Sequence, residues 1–291
     1  MNRDLTFCIG IVVSEKDNSS FLKRSLNSIL IQTKLVQQII ILCNGNLNGL
    51  LIQCIKDFAT QSKTEVLILN QFESKRFGPN LNTLLNSTKC QYLIRQDPDD
   101  ISVPSRVQEV FNFTQSNKFD VLFTNSINLD SDSPIKFSNS CVYTQNKSLF
   151  EQLIKVNPII HSSVVLKVES VLRIGGYRDL SKYEDYELWL RAAKNGLVFR
   201  HIPRTTIIFT NIKTLSKRRT EIGLKGETTI FAAKILLDWR RFTGIVFWTS
   251  SRLFAKFIPL KILELLNDKY RSSPLSAEEN LNYLTLVSKL N

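Results

Sequence analysis

Residues 92–104 read Y-L-I-R-Q-D-P-D-D-I-S-V-P. An apolar run passes into three carboxylates, Asp97, Asp99 and Asp100, and stops at Pro104. Like charges packed this closely repel, and they cost stability unless something positive sits between them. A buried strand that ends on ligand-type side chains is what a parallel sheet presents at its carboxyl edge, where such sheets bind ligands.

The flanking segments fit that sheet. Residues 5–13, 37–44, 65–70, 90–96 and 119–126 are apolar and rich in β-branched residues, as strands buried on both faces are. Between them, residues 21–32, 50–61, 78–88 and 105–115 have helical apolar spacing, with Asn18, Ser19 or Ser20 available to cap the first. The alternation predicts an α/β, doubly wound, mostly parallel sheet. Ser14–Asp17, Cys43–Gly45 and Asp97–Asp100 then stand at three strand ends around one crevice. After about residue 130 the rhythm changes: 160–168 reads as a strand, 181–196 as a helix closed by Gly196, and 197–210 as two short strands.

With 291 residues and 43% hydrophobic content the chain can bury a substantial core. Five scattered cysteines without C-x-x-C spacing indicate neither a disulfide framework nor a zinc knuckle, and fit a reducing compartment. The first apolar run reads as a strand and not a signal peptide, and no run of apolar residues is long enough to span a bilayer. The net charge is +12, and residues 211–271 hold thirteen Lys/Arg against five Asp/Glu.

A D-x-D at a strand end suits a hard dication, Mg²⁺ or Mn²⁺, which keeps open positions for phosphate oxygens. The bland alternative is an acidic turn.

Several segments in order decide for the first. S-L-N-S-I-L-I-Q-T (25–33), Q-Q-I-I-I-L-C-N-G (37–45), G-P-N-L-N (78–82), the acidic stretch, N-P-I-I-H-S-S-V-V (157–165), G-G-Y-R-D (175–179) and Y-E-D-Y-E-L-W-L-R (183–191) together resemble family 2 glycosyltransferases, inverting enzymes of the GT-A fold, and among them the bacterial branch that builds exopolysaccharide, capsule and O-antigen units. The resemblance covers about residues 5–210 and extends toward 271. It implies a catalytic domain over 1–210, with a nucleotide-sugar half (1–126) and an acceptor-side half (127–210), followed by a basic, amphipathic helical region over 211–291.

The resemblance also implies roles. Asp97 contacts the sugar or ribose of the donor, and Asp99 binds the metal that bridges the diphosphate, with Asp100 supporting the loop. His161 approaches the metal or diphosphate, or is a structural histidine. Asp185 is the catalytic base, with Glu184 as fallback. Ser14, Glu15, Asn44, Arg76, Asn82 and Arg95 join Asp97 in binding the nucleotide sugar. Arg95 and Arg106 orient the acids or reach phosphate, and Lys75 and Arg76 touch the diphosphate. Trp189 is either core or a sugar-stacking platform on the acceptor side. The family often has an acid after its second strand. Here Asn44 stands in that turn; it can hydrogen-bond a base but carries no charge.

The implied partners are a nucleotide-diphosphate sugar, UDP-sugar favoured, a divalent metal (Mn²⁺ or Mg²⁺) and a glycan or lipid-linked acceptor. Residues 227–266 interleave aromatic residues (Trp239, Phe242, Phe247, Trp248, Phe254, Phe257) with Arg240, Arg241, Arg252, Lys256 and Lys261. That pattern suits an anionic membrane surface on the cytoplasmic face of the inner membrane, in short helices broken at Gly244 and Pro259, or else helices that pack on the catalytic domain or form an oligomer interface. No nucleic-acid-binding signature accompanies the basic charge. A nucleotidyltransferase would carry a Gly-rich loop after the first strand, which S-E-K-D-N-S-S lacks. The remaining alternative is an inactive nucleotide-sugar-binding homologue or assembly partner.

Overall fold

The computed structural model describes residues 5–130, 136–139, 143, 148–210, 224–254 and 275–290. Its first part alternates strand and helix: β1 (Phe7–Ser14), α1 (Ser19–Leu30), β2 (Gln38–Asn44), α2 (Gly49–Gln61), β3 (Glu65–Gln71), α3 (Phe77–Ser87) and β4 (Tyr92–Gln96). The four strands are parallel in the order β3-β2-β1-β4. Successive side chains of β1 go to opposite cores. Cys8 and Val12 join Leu81, Leu84 and Leu85 of α3, while Ile9, Ile11 and Val13 join Leu22 and Leu26 of α1 and Leu51 and Ile55 of α2. Gly10 lets α3 lie close to the sheet, since a Cβ there would sit 2.8 Å from Leu93 Cδ1 and 3.1 Å from Leu84 Cδ1. Asn18 caps α1 by accepting from the N–H groups of Ser20 and Phe21.

Beyond β4 the sheet is mixed. β6 (Val121–Asp130) follows β5 (Ile101–Ser102) and α4 (Arg106–Ser116) in the chain, but does not pair with β4. The strand β8 (Val165–Lys167) lies between them, antiparallel to both. β9 (Phe199–Phe209) runs parallel to β6, β5 is antiparallel to β9, and β7 (Lys136–Asn139) is antiparallel to β6. Two expectations change here. The two short strands at 197–210 are one strand, β9, and within 160–168 the residues His161–Ser163 form a single 3₁₀ turn ahead of β8.

The helices α5 (Leu149–Lys155), α6 (Val168–Arg173) and α7 (Glu184–Lys194) accompany these later strands. Behind α7 packs α8 (Leu224–Leu237), which contributes Ile230 to the core. A 3₁₀ turn at Trp239–Arg241 leads into α9 (Phe242–Phe254). Gly244 therefore lies inside a helix, and the break falls at Asp238, whose side chain caps the new turn. Pro259, Lys256, Phe257 and Lys261 lie outside the described residues. The last helix, α10 (Ala277–Leu290), returns to the first half. Val287 and Leu290 enter a third core with Ile101, Ile127, Phe137 and Ile208, and Asn27 Nδ2 donates to the Leu290 carbonyl at 3.3 Å. Among the described residues no helix is long and apolar enough to cross a membrane.

Candidate active site

Register brings the strand ends together, with Ser14 beside Asn44 and Asn44 beside Gln71. β4 ends at Gln96, and the chain turns through Asp97–Asp100, closed by the Asp100 N–H on the Asp97 carbonyl at 3.3 Å. A buried polar scaffold holds this turn from below. Ser25 Oγ of α1 donates to the Asp97 carbonyl at 2.8 Å, and Gln96 Nε2 to the Asp100 carbonyl at 2.7 Å. The Arg106 guanidinium, 1% exposed, donates to Gln96 Oε1, to the Arg95 carbonyl and to the Ser162 carbonyl. Thr210, just past β9, bonds the Asp99 carbonyl through its hydroxyl. Arg106 thus orients the acidic loop from beneath and is not placed to reach phosphate.

Carboxylate oxygens of Asp97, Asp99 and Asp100 lie within 4.8 Å of one another. Asp100 is fully buried, and its Oδ2 has no hydrogen-bond partner. Burial, with the charges of Asp97 and Asp99, pushes its carboxyl well above the usual range. A buried orphan oxygen in a tight carboxylate group is a donor set that fits a hard divalent cation. Arg24 of α1, half-buried, feels the Asp99 charge.

The second acidic group opens α7. Glu184 and Asp185 stand in its first turn, where the helix dipole favours carboxylates. The chain enters through Tyr183, which among the described residues is the one non-glycine in the left-handed region, at φ 66°. Asp185 Oδ2 accepts from Asn157 Nδ2 at 2.9 Å. Burial raises the Asp185 carboxyl, against the Tyr186 N–H, Arg95 and Asn157. Glu184 is pushed up to about 7 by burial and by the Asp185 charge. Arg95 of β4 acts on both of these acids and on Tyr177, so its charge joins the two acidic groups.

The sequence profile of glycosyl transferase family 2 matches residues 9–167. The chain belongs to glycosyl transferase family 2. It is a glycosyltransferase. The amylovoran biosynthesis glycosyltransferase AmsE of Erwinia amylovora is 23% identical over 268 residues, which are 91% of this chain and 99% of that one. The UDP-Gal:alpha-D-GlcNAc-diphosphoundecaprenol beta-1,3-galactosyltransferase of Escherichia coli is 26% identical over 267 residues, 87% and 92% of the two chains. Among solved structures, the mannosyltransferase PcManGT of Pyrobaculum calidifontis, in complex with GDP-Man and Mn²⁺, superposes with a TM-score of 0.59 at 12% identity over 98% of this chain and 84% of that one. S. aureus TarS 1–349 with UDP-GlcNAc gives 0.59 at 10% identity over 79% and 67%. The fold is GT-A.

Within this family 2 enzyme, Ser14 and Glu15 stand at the end of β1 and Arg76 just ahead of α3. Ser14 ends β1, with its N–H on Asp17 Oδ2 at 2.6 Å, and a Cβ on Gly45 would lie 3.8 Å from Glu15 Oε2. Arg76, at the start of α3, is exposed and 3.5 Å from Asp179.

Others have different tasks. Asn44 spends its amide on the protein: Oδ1 accepts from Gln71 Nε2 and the Lys75 N–H, both at 2.9 Å, while Nδ2 donates to Ser74 Oγ and the Lys75 carbonyl. Both lone pairs and both donors are taken, so none is left to read a base. Asn82 clamps the Tyr177 backbone, donating to its carbonyl and accepting from its N–H, both at 2.7 Å. His161 lies outside the carboxylate group. Its Nε2 pairs with Tyr177 Oη at 2.8 Å, and Phe77, Tyr177 and Trp189 surround the ring. Burial and the Arg95 charge hold it well below the usual imidazole range. Trp189 is 0% exposed within the core, which leaves no face for a sugar to stack on.

Residues that the sequence reading passed over include Arg24, Asn157 and Thr210. Asn157 alone carried a signal, as the first residue of the N-P-I-I-H segment; the other two are placed by tertiary contact.

Proposed function

We propose that this glycosyltransferase is an inverting enzyme that moves a sugar from a nucleotide-diphosphate sugar to a hydroxyl of a glycan or lipid-linked glycan in surface polysaccharide synthesis. The observation that carries the reading is the pairing of the Asp97–Asp99–Asp100 group with the half-buried Glu184–Asp185 pair across Arg95. An inverting transfer needs one site for the leaving diphosphate and, apart from it, a base for the attacking hydroxyl. The named substrates of the Escherichia coli relative, a UDP-sugar and a diphosphoundecaprenol-linked acceptor, support the donor and acceptor classes.

Asp99 and Asp100 would hold a divalent cation, Mn²⁺ or Mg²⁺, which when bound supplies positive charge for the diphosphate oxygens. Asp97, held by Arg95, is left to meet the sugar or ribose. The acceptor hydroxyl attacks the anomeric carbon from the face opposite the diphosphate. Its oxygen forms the new glycosidic bond, the bond from that carbon to the diphosphate oxygen breaks, and the proton passes to the Asp185 carboxylate. Burial makes that carboxylate a stronger base than an exposed one. Glu184 stands beside it as the alternative acceptor of that proton.

The test is calorimetric donor binding across UDP-, GDP-, dTDP- and CMP-sugars with Mn²⁺, Mg²⁺ or EDTA. Metal-dependent binding that Asp99→Ala abolishes, with Asp185→Asn binding donor but not transferring, is the expected result. Silence across the panel from folded protein favours the inactive homologue.

A membrane-surface role for the region after 227 belongs to the same proposal. Trp239, Phe242 and Phe247 are 72%, 53% and 64% exposed, beside exposed Arg240 and Arg241. Apolar rings next to guanidinium groups match an anionic bilayer surface, where a lipid-linked acceptor resides. Such contact would put the enzyme on the cytoplasmic face of the inner membrane.

A further inference from the structure

We infer that Asn157 is a positioning residue for the transfer, fixing the Asp185 carboxylate in its charged form. This rests on the reading of Asp185 as the base.

The loop from 157 to 163 lies between α5 and β8, and it touches both halves of the site. Asn157 Nδ2 donates to Asp185 Oδ2 at 2.9 Å, His161 Nε2 pairs with Tyr177 Oη at 2.8 Å, and the Ser162 carbonyl accepts from Arg106 beneath the acidic loop at 2.7 Å. Asn157 is held so that it can act only one way. Its Oδ1 accepts from the Ile159 N–H at 3.1 Å. An exchanged amide would set a donor against that N–H and an acceptor against a carboxylate. Pro158 follows, which confines the Asn157 backbone to extended conformations. The donor therefore points at Asp185 before substrate arrives, and a neutral donor to a carboxylate favours the anion.

The other titratable and charged groups around Asp185 come from several elements. They are Glu184 on its own helix, Arg95 from β4 and Tyr177 from the turn before α7. Asp97 faces Glu184, His161 lies behind Tyr177, and Lys234 of α8 stands 5.3 Å from the Tyr186 ring. Arg95 favours the charged base by field. Asn157 contributes direction as well, because a hydrogen bond fixes the rotamer.

The experiment follows the Asp185 carboxyl by ¹³C NMR of the full chain labelled at aspartate, with Asp185→Asn assigning the signal and no donor required. In Asn157→Ala the titration midpoint should rise by about one pH unit, a tenfold change in proton affinity. Asn157→Asp keeps the side-chain shape and sets a second carboxylate against the first, so it should raise the midpoint further. It also stands in should the alanine variant not fold. With the donor found by calorimetry and a lipid-linked N-acetylglucosamine diphosphate as acceptor, the acidic limb of the kcat profile should move up by the same amount while the donor KM holds. An unchanged midpoint overturns the inference and leaves Asp185 as the base. Full transfer by Asp185→Asn overturns the base reading and the positioning role with it.

Discussion

Arg95 and Asp97 stand two residues apart, and the guanidinium of the first meets the carboxylate of the second through two hydrogen bonds, Nη1 to Oδ2 at 2.9 Å and Nη2 to Oδ1. Arg95 is 3% exposed and Asp97 21%, so the arginine lies beneath and the aspartate is the more open of the two. The Phe77 ring, 5.1 Å away, covers the guanidinium. Lysine cannot reproduce a two-point grip. Arg95→Lys should fold but weaken donor binding about tenfold, read by calorimetry with Mn²⁺ present. Arg95→Met leaves acids without their cation and should lower stability by about 3 kcal/mol, read in urea.

Glu184 gives the fold a pH dependence. The folded chain binds its proton more tightly than the unfolded chain, because the carboxyl is pushed from 4.5 to about 7. Its stabilising contribution is therefore complete below pH 4.5 and is lost as pH rises to about 7. Glu184→Gln should flatten that decline, worth roughly 2 kcal/mol. Urea melts at pH 5 and 8 compare the two proteins, and an equal slope in both would assign the decline elsewhere.

Two glycines set the spacing between α3 and the turn that precedes α7. A Cβ on Gly78 would overlap the Arg178 carbonyl oxygen, and one on Gly176, at φ +62°, would overlap Asn82 Oδ1. Backbone and a clamped amide cannot move aside cheaply. Gly78→Ala should cost about 2 kcal/mol, lowering Tm by about 4–8 °C. Gly49→Ala, where a Cβ would meet nothing within 4 Å, serves as the control and should leave Tm near the parent value.

The aromatic surface after α8 makes a salt-dependent prediction. Trp239→Ser with Phe242→Ser should lower cosedimentation with phosphatidylglycerol vesicles at least tenfold, as each lost ring removes about 1–2 kcal/mol of apolar transfer. Raising salt should weaken the parent further through Arg240 and Arg241. Equal binding by parent and variant would return these rings to a protein-facing role.

Much of this enzyme was readable along the chain. Segments such as F-C-I-G-I-V-V-S and Q-I-I-I-L-C-N are buried at every position or nearly so, and that continuous apolar pattern marks them as inner strands. The D-P-D-D turn and the E-D pair are also local, since each needs only neighbouring residues and the end of one element. The C-terminal stretch carries little pattern, although Ala277–Leu290 form a helix that closes the third core through Val287 and Leu290.

Tertiary structure decided the assignments that depend on which partner a side chain meets. The sequence shows an asparagine at 44, at 82 and at 157, all equally able to bind a ligand. Asn44 is engaged by Gln71, Ser74 and Lys75, Asn82 by the Tyr177 backbone and Asn157 by Asp185 and Ile159. An amide has two donors and two acceptor positions; the fold fills all four at Asn44 and sets the direction of the amide at Asn82 and Asn157 with one bond of each kind. The same holds for β8, whose three residues come between β4 and β6 although they follow both in the chain. Local pattern sets which segments are strands and which loops carry charge. Pairing across long separations depends on the path of the whole chain, so only the folded molecule determines which of these polar groups remain free to bind a sugar nucleotide.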